Sequence, residues 1–314
     1  MDTSSNVRSA IDLAKEPPAA DQGLQLFETA TGRWWLPDAP SDVVANAMKN
    51  DQIFDEPIVR EAERHIRPGT VVLDVGANFG QMTVLFAKLV GPRGHIHAFE
   101  AEPFVARILQ KNIEANGVSE FVTIHRGAVW HRSGLELVFP EPDLERYGGS
   151  FGSYGIVPKA TEGRRVRSLT IDELNIKGPI SFLKVDVQGS DLFALRGARA
   201  TIVRERMPIL FEFEPLFYDD FEISFSDYAD FVADVTYSFV RRIHIDSDNF
   251  LVCPRQGVWS DLRGRMIRTA VPYRNAAKGR VHTFLSEHPT AVHLRKTMAK
   301  PLKPLFRRHP TMRN

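Results

Sequence analysis

The sequence contains a single cysteine in 314 residues, and this scarcity excludes two kinds of site. Cys253 alone can form neither an internal disulfide nor a cysteine-cluster metal site, which favours a reducing compartment. Long apolar runs are also missing, so no membrane-spanning helix is expected. The opening residues, MDTSSNVRSAIDLAKEPPAADQG, lack an apolar signal region. The expected location is therefore cytoplasmic, with any membrane contact peripheral.

Charge is distributed unevenly, although the net charge of the chain is only +1. Residues 262–314 contain thirteen Lys or Arg and one acid, Glu287, whereas residues 1–261 carry a net charge of −11. A basic tail that also contains apolar residues suits contact with an anionic membrane surface or a polyanionic glycan. A solvated tail and a tail that folds back onto the acidic body are the alternatives.

Four regions are expected along the chain. Residues 1–22 have the polar composition of a mobile lead-in. Residues 23–69 predict an N-terminal cap, made of a hairpin and two helices, with Ser41 as the N-cap of the first helix. Residues 70–254 alternate apolar runs with helical patterns, which indicates βαβ units around a parallel sheet. Residues 255–314 form a basic C-terminal extension.

Three details of the 70–254 region are also predicted from its pattern. FVTIHRGAV is expected to be one strand, SDLFALRGARATIVRER one helix, and YSFVRRIH with NFLVCP a closing hairpin. Between the third and fourth strands of the sheet, LELVFPEP, YGGSFGSYG and RRVRSLT predict a strand, a glycine-rich loop and a second strand. Because open α/β sheets bind ligands at this edge, the insertion is either part of a substrate pocket or a solvated hairpin.

The stretch VVLDVGANFG predicts a buried strand that runs into a nucleotide-binding turn. A dinucleotide turn places a second glycine where its backbone approaches a pyrophosphate, but this chain has Asn78 between Gly76 and Gly80. S-adenosylmethionine has no pyrophosphate and tolerates a side chain there. Asp74 at the end of the strand is suited to the ammonium of a methionine moiety and would repel a diphosphate. The turn therefore favours S-adenosylmethionine.

Glu100 provides a second landmark for nucleoside binding. It ends the next predicted strand, twenty positions beyond Gly80, which is the spacing of an acid that binds ribose hydroxyls. Such an acid serves NAD and S-adenosylmethionine equally, so Glu100 indicates a nucleoside without choosing between them. A helix-capping or surface role is the alternative for this residue.

Several motifs in the chain resemble those of the FkbM family of S-adenosylmethionine-dependent methyltransferases. They are VVLDVGANFG, HAFEAEPFVARILQKNIEANG, PILFEFEP and, most specifically, LKVDVQGSDLFALRGA, and the resemblance as a whole covers roughly Phe54 to Pro254. The resemblance implies an α/β, Rossmann-like class I methyltransferase fold, with a mostly parallel seven-stranded sheet and an antiparallel closing strand. It also implies O-methylation of a hydroxyl on a sugar, a glycan or a secondary metabolite. This chain departs from the family by having Gln188 in place of the usual glutamate.

Candidate site residues follow from these motifs. The residues expected to bind S-adenosylmethionine are Asp74, Gly76, Ala77, Asn78, Phe79, Gly80, Glu100 and Ala128. Asp186 ends the fourth strand of the sheet and is expected to be the catalytic carboxylate, with Glu212 and Glu214 as its partners from the fifth. Three acids at one sheet edge can act as a base with an orienting group or hold a divalent cation. Helix capping or pairing with arginine is the alternative for each glutamate.

Three other functions are alternatives to O-methylation. The basic tail fits a nucleic-acid methyltransferase, but the chain reads DVQG where amino-methylating enzymes of that class carry a D/N-P-P-aromatic motif. Gln188 is the feature that fits a non-catalytic S-adenosylmethionine-binding protein. Asn78 and Asp74 argue against an NAD-dependent oxidoreductase. The sequence makes no prediction of the acceptor's identity or of the oligomeric state.

Overall fold

The computed structural model describes residues 23–140, 150–153, 155–214, 217–243 and 249–255. The predicted lead-in and basic extension lie outside these ranges, apart from Arg255. The strands are β1 (Leu24–Glu28), β2 (Arg33–Pro37), β3 (Val71–Val75), β4 (His95–Glu100), β5 (Val122–Arg126), β6 (Ala128–Val129), β7 (Glu136–Phe139), β8 (Arg164–Leu169), β9 (Ile180–Val185), β10 (Ile209–Glu212), β11 (Tyr237–Arg242) and β12 (Asn249–Pro254). The helices are α1 (Val43–Lys49), α2 (Glu56–Glu63), α3 (Gln81–Val90), α4 (Pro103–Ala115), α5 (Asp191–Gly197), α6 (Arg199–Glu205), α7 (Tyr218–Phe221) and α8 (Phe225–Asp234). Within the described ranges, no helix combines the length and apolar character needed to cross a membrane.

The central sheet has seven strands in the order β11-β12-β10-β9-β3-β4-β5. The pairs β10·β9, β9·β3, β3·β4 and β4·β5 are parallel, whereas β12 is antiparallel to both β10 and β11. Every residue of β3 and β9 is buried, as their continuous apolar character requires. The predicted α/β fold, with its mostly parallel sheet and antiparallel closing strand, is confirmed.

The hairpin β1·β2 is attached to helix α4 through two asparagines of the NIEANG motif. Asn112 accepts the N–H of Trp35 at 2.6 Å and donates to the carbonyl of Phe79 at 2.8 Å. Asn116 accepts the N–H of Arg33 at 3.1 Å and donates to the carbonyl of the same residue at 2.7 Å. These bonds hold the N-terminal hairpin against helix α4 and satisfy backbone groups of an edge strand.

Helix α1 begins one residue later than the sequence predicted. Its N-cap is Asp42, not Ser41, and the Asp42 carboxylate accepts the N–H of Ala45 at 2.7 Å. Asp42 is fully buried. Both residue types are good N-caps, so local propensity did not separate them, and the buried partners of Asp42 decide the position.

The predicted third strand is divided at Gly127. Residues of β5 pair with β4, but β6 leaves the central sheet and pairs in parallel with β8, which is antiparallel to β7. A Cβ at Gly127 would lie 2.8 Å from the carbonyl oxygen of Arg167, so only glycine permits this close approach. The insertion thus forms a small sheet beside the carboxyl edge of the central one.

The long helix predicted over SDLFALRGARATIVRER is two short helices, α5 and α6. Gly197 packs so closely on the end of β6 that a Cβ would lie 1.9 Å from the carbonyl oxygen of Trp130. After Ala198, helix α6 receives a new cap from a distant residue, because Asp172 accepts the N–H groups of Ala200 and Thr201 at 2.9 and 2.8 Å. A cap from another segment is invisible to helical periodicity, which explains the error.

Candidate active site

The glycine turn after β3 is shaped by close backbone contacts. Gly76 has φ +81°, and a Cβ there would lie 1.8 Å from the carbonyl oxygen of Asp186. The N–H groups of Gly76 and Ala77 both donate to the carbonyl of Phe99 at 3.0 Å. Gly80 has φ +89°, and its Cβ would lie 2.5 Å from Leu109. The turn therefore requires both glycines, and it joins β3, β4 and β9 at their carboxyl ends.

Asn78 and Glu100 meet in this turn. Asn78 adopts the left-handed conformation that asparagine tolerates, with φ +50°, and its N–H donates to Glu100 Oε2 at 2.9 Å. Glu100 Oε1 accepts the N–H of Glu102 at 2.9 Å. Burial raises the pKa of Glu100 to about 7, although the two hydrogen bonds act to lower it. A partly buried carboxylate fixed in this way is suited to accept hydrogen bonds from a pair of hydroxyls.

A cavity of about 290 Å³ opens at this edge of the sheet. All but one of the sequence-predicted site residues line it: Gly76, Ala77, Asn78, Phe79, Gly80, Glu100, Ala128, Asp186, Glu212 and Glu214. The folded chain therefore brings the cofactor and catalytic candidates to one place. The described part of the insertion also lines this cavity, through Phe139, Phe151, Gly152, Ser153, Gly155 and Ile156. It forms a wall of the pocket instead of a hairpin in solvent.

Asp74 is the exception. It is fully buried behind the turn and does not belong to the described residues that line the cavity. Its carboxylate accepts the Thr83 hydroxyl at 2.6 Å and lies 3.5 Å from the ammonium of Lys184. Burial raises the pKa of Asp74, and the Lys184 charge opposes that rise. Asp74 is thus separated from the cavity by the turn, and its expected role in binding the methionine ammonium stays a prediction.

The acidic side of the cavity is organised around Asp186. Gln188 Nε2 donates to Asp186 Oδ1 at 2.9 Å and to Glu212 Oε2 at 3.3 Å. Burial, and then the nearby Asp186 carboxylate, raises the pKa of Glu212 well above its ordinary value. Glu214 lines the same side. Two glutamates of β10 and its continuation therefore stand beside the acid that ends β9.

A cation site was one interpretation of these acids. Among the described residues, no group of three or more His, Cys, Asp or Glu is arranged to hold a metal ion. Gln188 instead directs amide N–H groups at two of the carboxylates.

The family model for the methyltransferase FkbM domain matches residues 74–239, which is more than half of the chain. The chain belongs to the FkbM methyltransferase family. Members of this S-adenosylmethionine-dependent family share the fold described above, and the predicted family is confirmed.

Individual relatives match shorter segments. The 31-O-demethyl-FK506 methyltransferase FkbM of Streptomyces tacrolimicus is 37% identical over 84 residues, which are 27% of this chain and 31% of that protein. Protein-L-isoaspartate O-methyltransferase 1 of Arabidopsis thaliana is 30% identical over 111 residues, 35% of this chain and 47% of that protein. The chain therefore spans less than half the length of either relative.

A solved structure of methyltransferase FkbM from Methylobacillus flagellatus is also similar. It has 14% sequence identity and a TM-score of 0.39, and the match covers 62% of this chain and 50% of that one.

The cavity fits the cofactor of the FkbM family. Gly76, Gly80 and Glu100 all line the cavity, and the two glycines put no side chain into it, while Glu100 offers a hydrogen-bond acceptor. Asn78 in the turn, with the carboxylates of Glu100 and Asp186 on the wall, disfavours a diphosphate. The residues present therefore match a nucleoside without phosphates, as S-adenosylmethionine is.

Lys184 is the most important site residue that the sequence reasoning missed. It is 3% exposed in β9, and its ammonium lies 3.4 Å from Asp186 Oδ2 and 3.5 Å from Asp74. Burial alone lowers the pKa of a lysine, but the two carboxylates outweigh it and raise the pKa of Lys184 above its ordinary value. A charged residue inside the apolar run ISFLKV was the available signal, because buried lysines are rarely tolerated without partners.

Asp191 was missed as well. It is fully buried at the start of α5, where its carboxylate accepts the N–H groups of Val187 and Glu212, both at 3.4 Å. Burial, and then Asp186, raises the pKa of Asp191 to about 8. Asp191 thus links the backbone just after β9 to the last residue of β10, and so helps to set the spacing of the cavity acids.

Asp42 and Phe151 connect the N-terminal cap with the cavity wall. The Asp42 carboxylate accepts the N–H of Phe151 at 2.7 Å and the hydroxyl of Ser150 at 3.3 Å. The Phe151 ring lies 5.5 Å from that of Phe104 and 6.1 Å from that of Phe79. Phe151 thus anchors the loop over the glycine turn.

Proposed function

We propose that this protein transfers a methyl group from S-adenosylmethionine to a hydroxyl oxygen of a small molecule or glycan. The observation that carries the proposal is the position of Asp186. Its carboxylate is on the cavity wall, while its backbone N–H donates to the carbonyl of Val75 at 3.0 Å, beside the glycine turn. A carboxylate is thereby fixed next to the place where the family binds its methyl donor.

S-adenosylmethionine supplies a methyl group on a sulfonium sulfur. Transfer to a hydroxyl forms an O–C bond, breaks the S–C bond and releases the hydroxyl proton. We assign Asp186 as the residue that accepts this proton, because both of its oxygens are held in place. Lys184 contacts Oδ2, and Gln188 donates to Oδ1. Glu212 and Glu214 support it by accepting hydrogen bonds from the acceptor. Alignment of oxygen, carbon and sulfur is the other contribution expected of the cavity.

The charge of the cavity supports a hydroxyl-rich acceptor over a nucleic acid. Asp186, Glu212 and Glu214 line it, and Asp55 lines its mouth. Carboxylates accept hydrogen bonds from sugar hydroxyls but repel a phosphate backbone. The name of the Streptomyces relative, a 31-O-demethyl-FK506 methyltransferase, agrees with transfer to oxygen.

The test is a methyl-transfer assay with S-adenosylmethionine labelled in its methyl group. Purified full-length protein is offered a panel of free sugars, glycans, polyketide alcohols, amines, carboxylic acids and RNA. Label in an alkali-stable ether of a hydroxyl compound is the expected result. Label in RNA or in a base-labile ester would contradict hydroxyl methylation, and tight binding of S-adenosylhomocysteine without transfer to any compound would favour a non-catalytic protein.

A further inference from the structure

The amide of Gln188 donates to the carboxylates of both Asp186 and Glu212. An amide NH₂ group carries two N–H donors, and here each carboxylate receives one. The orientation of the amide is set by this arrangement, since the reverse would direct its oxygen at two carboxylate oxygens. Gln188 thus satisfies both acids with one side chain.

The backbone presents Gln188 in a constrained way. Its φ is +51°, in the left-handed region, and Gly189 follows with φ +88°. The Gln188 Cβ also limits the neighbouring insertion, because a Cβ at Gly155 would lie 3.2 Å from it. The side chain therefore leaves the backbone in a direction that the fold determines.

Other charges converge on this place from each neighbouring element. They are Asp55 before α2, Lys184 in β9, Asp186 after β9, Asp191 in α5, and Glu212 and Glu214 at the end of β10. Acids outnumber the single lysine, so a further carboxylate at position 188 would have to hold a proton or repel its neighbours.

We propose that Gln188 is a positioning residue, which holds Asp186 for proton transfer by donating one N–H to Asp186 and one to Glu212. The proposal rests on the proposed function, since Asp186 is the proton acceptor in that reaction. It gives a role to the residue in which this chain departs from the family pattern. Gln188 itself touches neither the proton nor the methyl group.

Two substitutions separate the hydrogen-bond donation by the Gln188 amide from the shape of its side chain. Gln188→Met keeps the approximate size and removes both donors, whereas Gln188→Glu keeps the shape and adds a third carboxylate. Gln110→Glu is the matched control, because Gln110 also donates to a carboxylate, that of Glu114 at 2.8 Å, but on the exposed face of α4. Each protein is compared for turnover against pH and for the free energy of unfolding against pH.

Loss of donation leaves the carboxylates of Asp186 and Glu212 beside each other without the two N–H groups that now lie between them. The acid side of the turnover profile should then move up by about one pH unit or more in Gln188→Glu, and in the same direction in Gln188→Met. A purely structural role would lower turnover by the same factor at every pH. Unmoved profiles in both variants, like that of Gln110→Glu, would overturn the proposal.

The unfolding measurement tests the role of Gln188 without any methyl-acceptor substrate. In Gln188→Glu the new acid has a raised folded pKa, so its penalty is absent at low pH and grows as pH rises through the unfolded pKa. The stability deficit should therefore grow as pH rises above about 4.3, the ordinary pKa of a glutamate, and level off above the raised folded pKa. A deficit that does not change with pH sinks the proposal. A different outcome is a pH-dependent stability deficit in Gln188→Glu together with no methyl transfer to any hydroxyl compound. That result would refute the proposed function and still support the Gln188 contacts.

Discussion

The ammonium of Lys184 donates a hydrogen bond to the carbonyl oxygen of Gly76 at 2.8 Å. A side chain of β9 thereby fixes the glycine turn that follows β3. The same ammonium lies between Asp74, behind the turn, and Asp186, in the cavity wall. One buried charge thus connects the glycine turn with the carboxylate that we propose to be catalytic.

Replacing Lys184 with methionine should destabilise the protein strongly. Asp74 and Asp186 would lose their shared cation, and breaking a buried pair in this way typically costs about 3–5 kcal/mol. The free energy of unfolding near neutral pH should fall by that order, and the deficit should shrink at lower pH as the buried Asp74, whose pKa is raised, becomes protonated. Urea unfolding of Lys184→Met at several pH values measures both effects.

Lys88→Met provides the control for that experiment. Lys88 also donates to a backbone carbonyl, that of Thr31 at 3.1 Å, but from the exposed side of α3. Its loss should change stability by well under about 1 kcal/mol. Equal effects of the two substitutions would show that Lys184 is not a structural clamp.

Glu100 should make cofactor affinity depend on pH. Its pKa is raised to about 7 by burial, so the carboxylate becomes protonated as pH falls through that value. The ionised form is the better acceptor for ribose hydroxyls, and binding of S-adenosylhomocysteine should therefore weaken below about pH 7. Calorimetry over this range tests the dependence.

Glu100→Gln should weaken that binding by about 1–3 kcal/mol at higher pH and flatten the pH dependence, because its amide must point a donor at the N–H of Asn78 or Glu102. Glu120→Gln, an exposed acid, is the control. A pH dependence that survives Glu100→Gln would assign it to another group.

Asp42→Asn should loosen the loop that covers the glycine turn. The asparagine can still cap α1 with its oxygen, but its amide would face the N–H of Phe151, now bonded at 2.7 Å. We expect faster hydrogen exchange at the Phe151 amide and a faster release of S-adenosylhomocysteine, by roughly tenfold for a loss of about 1.4 kcal/mol. Asp38→Asn, on the exposed surface nearby, should leave both rates unchanged. An unchanged release rate in Asp42→Asn would separate this contact from cofactor binding.

Sequence pattern sufficed for the sheet and for most of the cavity lining, because both depend on local features. Buried strands are apolar runs, and Gly76, Gly80 and Glu100 occupy fixed offsets from such strands. What the pattern missed depends on distant contacts. Asp172 caps a helix 28 residues away, and Asp42 bonds Phe151 across 109 residues. The contact between Asp74 and the buried Lys184, 110 residues further along the chain, is likewise not apparent from the end of a strand.

The basic segment 262–314 lies outside the described residues, and its proposed contact with an anionic surface rests on composition alone. Full-length protein should sediment with vesicles that contain phosphatidylserine and be released by salt, because the attraction is electrostatic. Protein lacking residues 262–314 should remain in the supernatant, as should both proteins with neutral vesicles. Equal sedimentation of the two proteins with anionic vesicles excludes the tail as the contact.

Asp186→Asn is the sharpest test of the catalytic assignment. The asparagine keeps the size of the side chain but cannot accept the hydroxyl proton, and loss of a general base typically lowers turnover by about 10²–10⁴-fold. Binding of S-adenosylhomocysteine should persist, since Lys184 keeps its contacts with Asp74 and with the Gly76 carbonyl in the glycine turn. Single-turnover rates and calorimetry on the same preparation separate the two effects.

Two further variants decide what a negative result would mean. Asp234→Asn, which removes an exposed carboxylate paired with Arg199, should leave both turnover and binding at the wild-type level. Glu212→Gln should lower turnover less than Asp186→Asn, because Gln188 would still donate to Asp186. If Asp186→Asn retains near-normal turnover while Glu212→Gln loses it, the proton acceptor is Glu212. If neither variant loses turnover, methyl transfer in this cavity depends on the alignment of the acceptor and not on a carboxylate base.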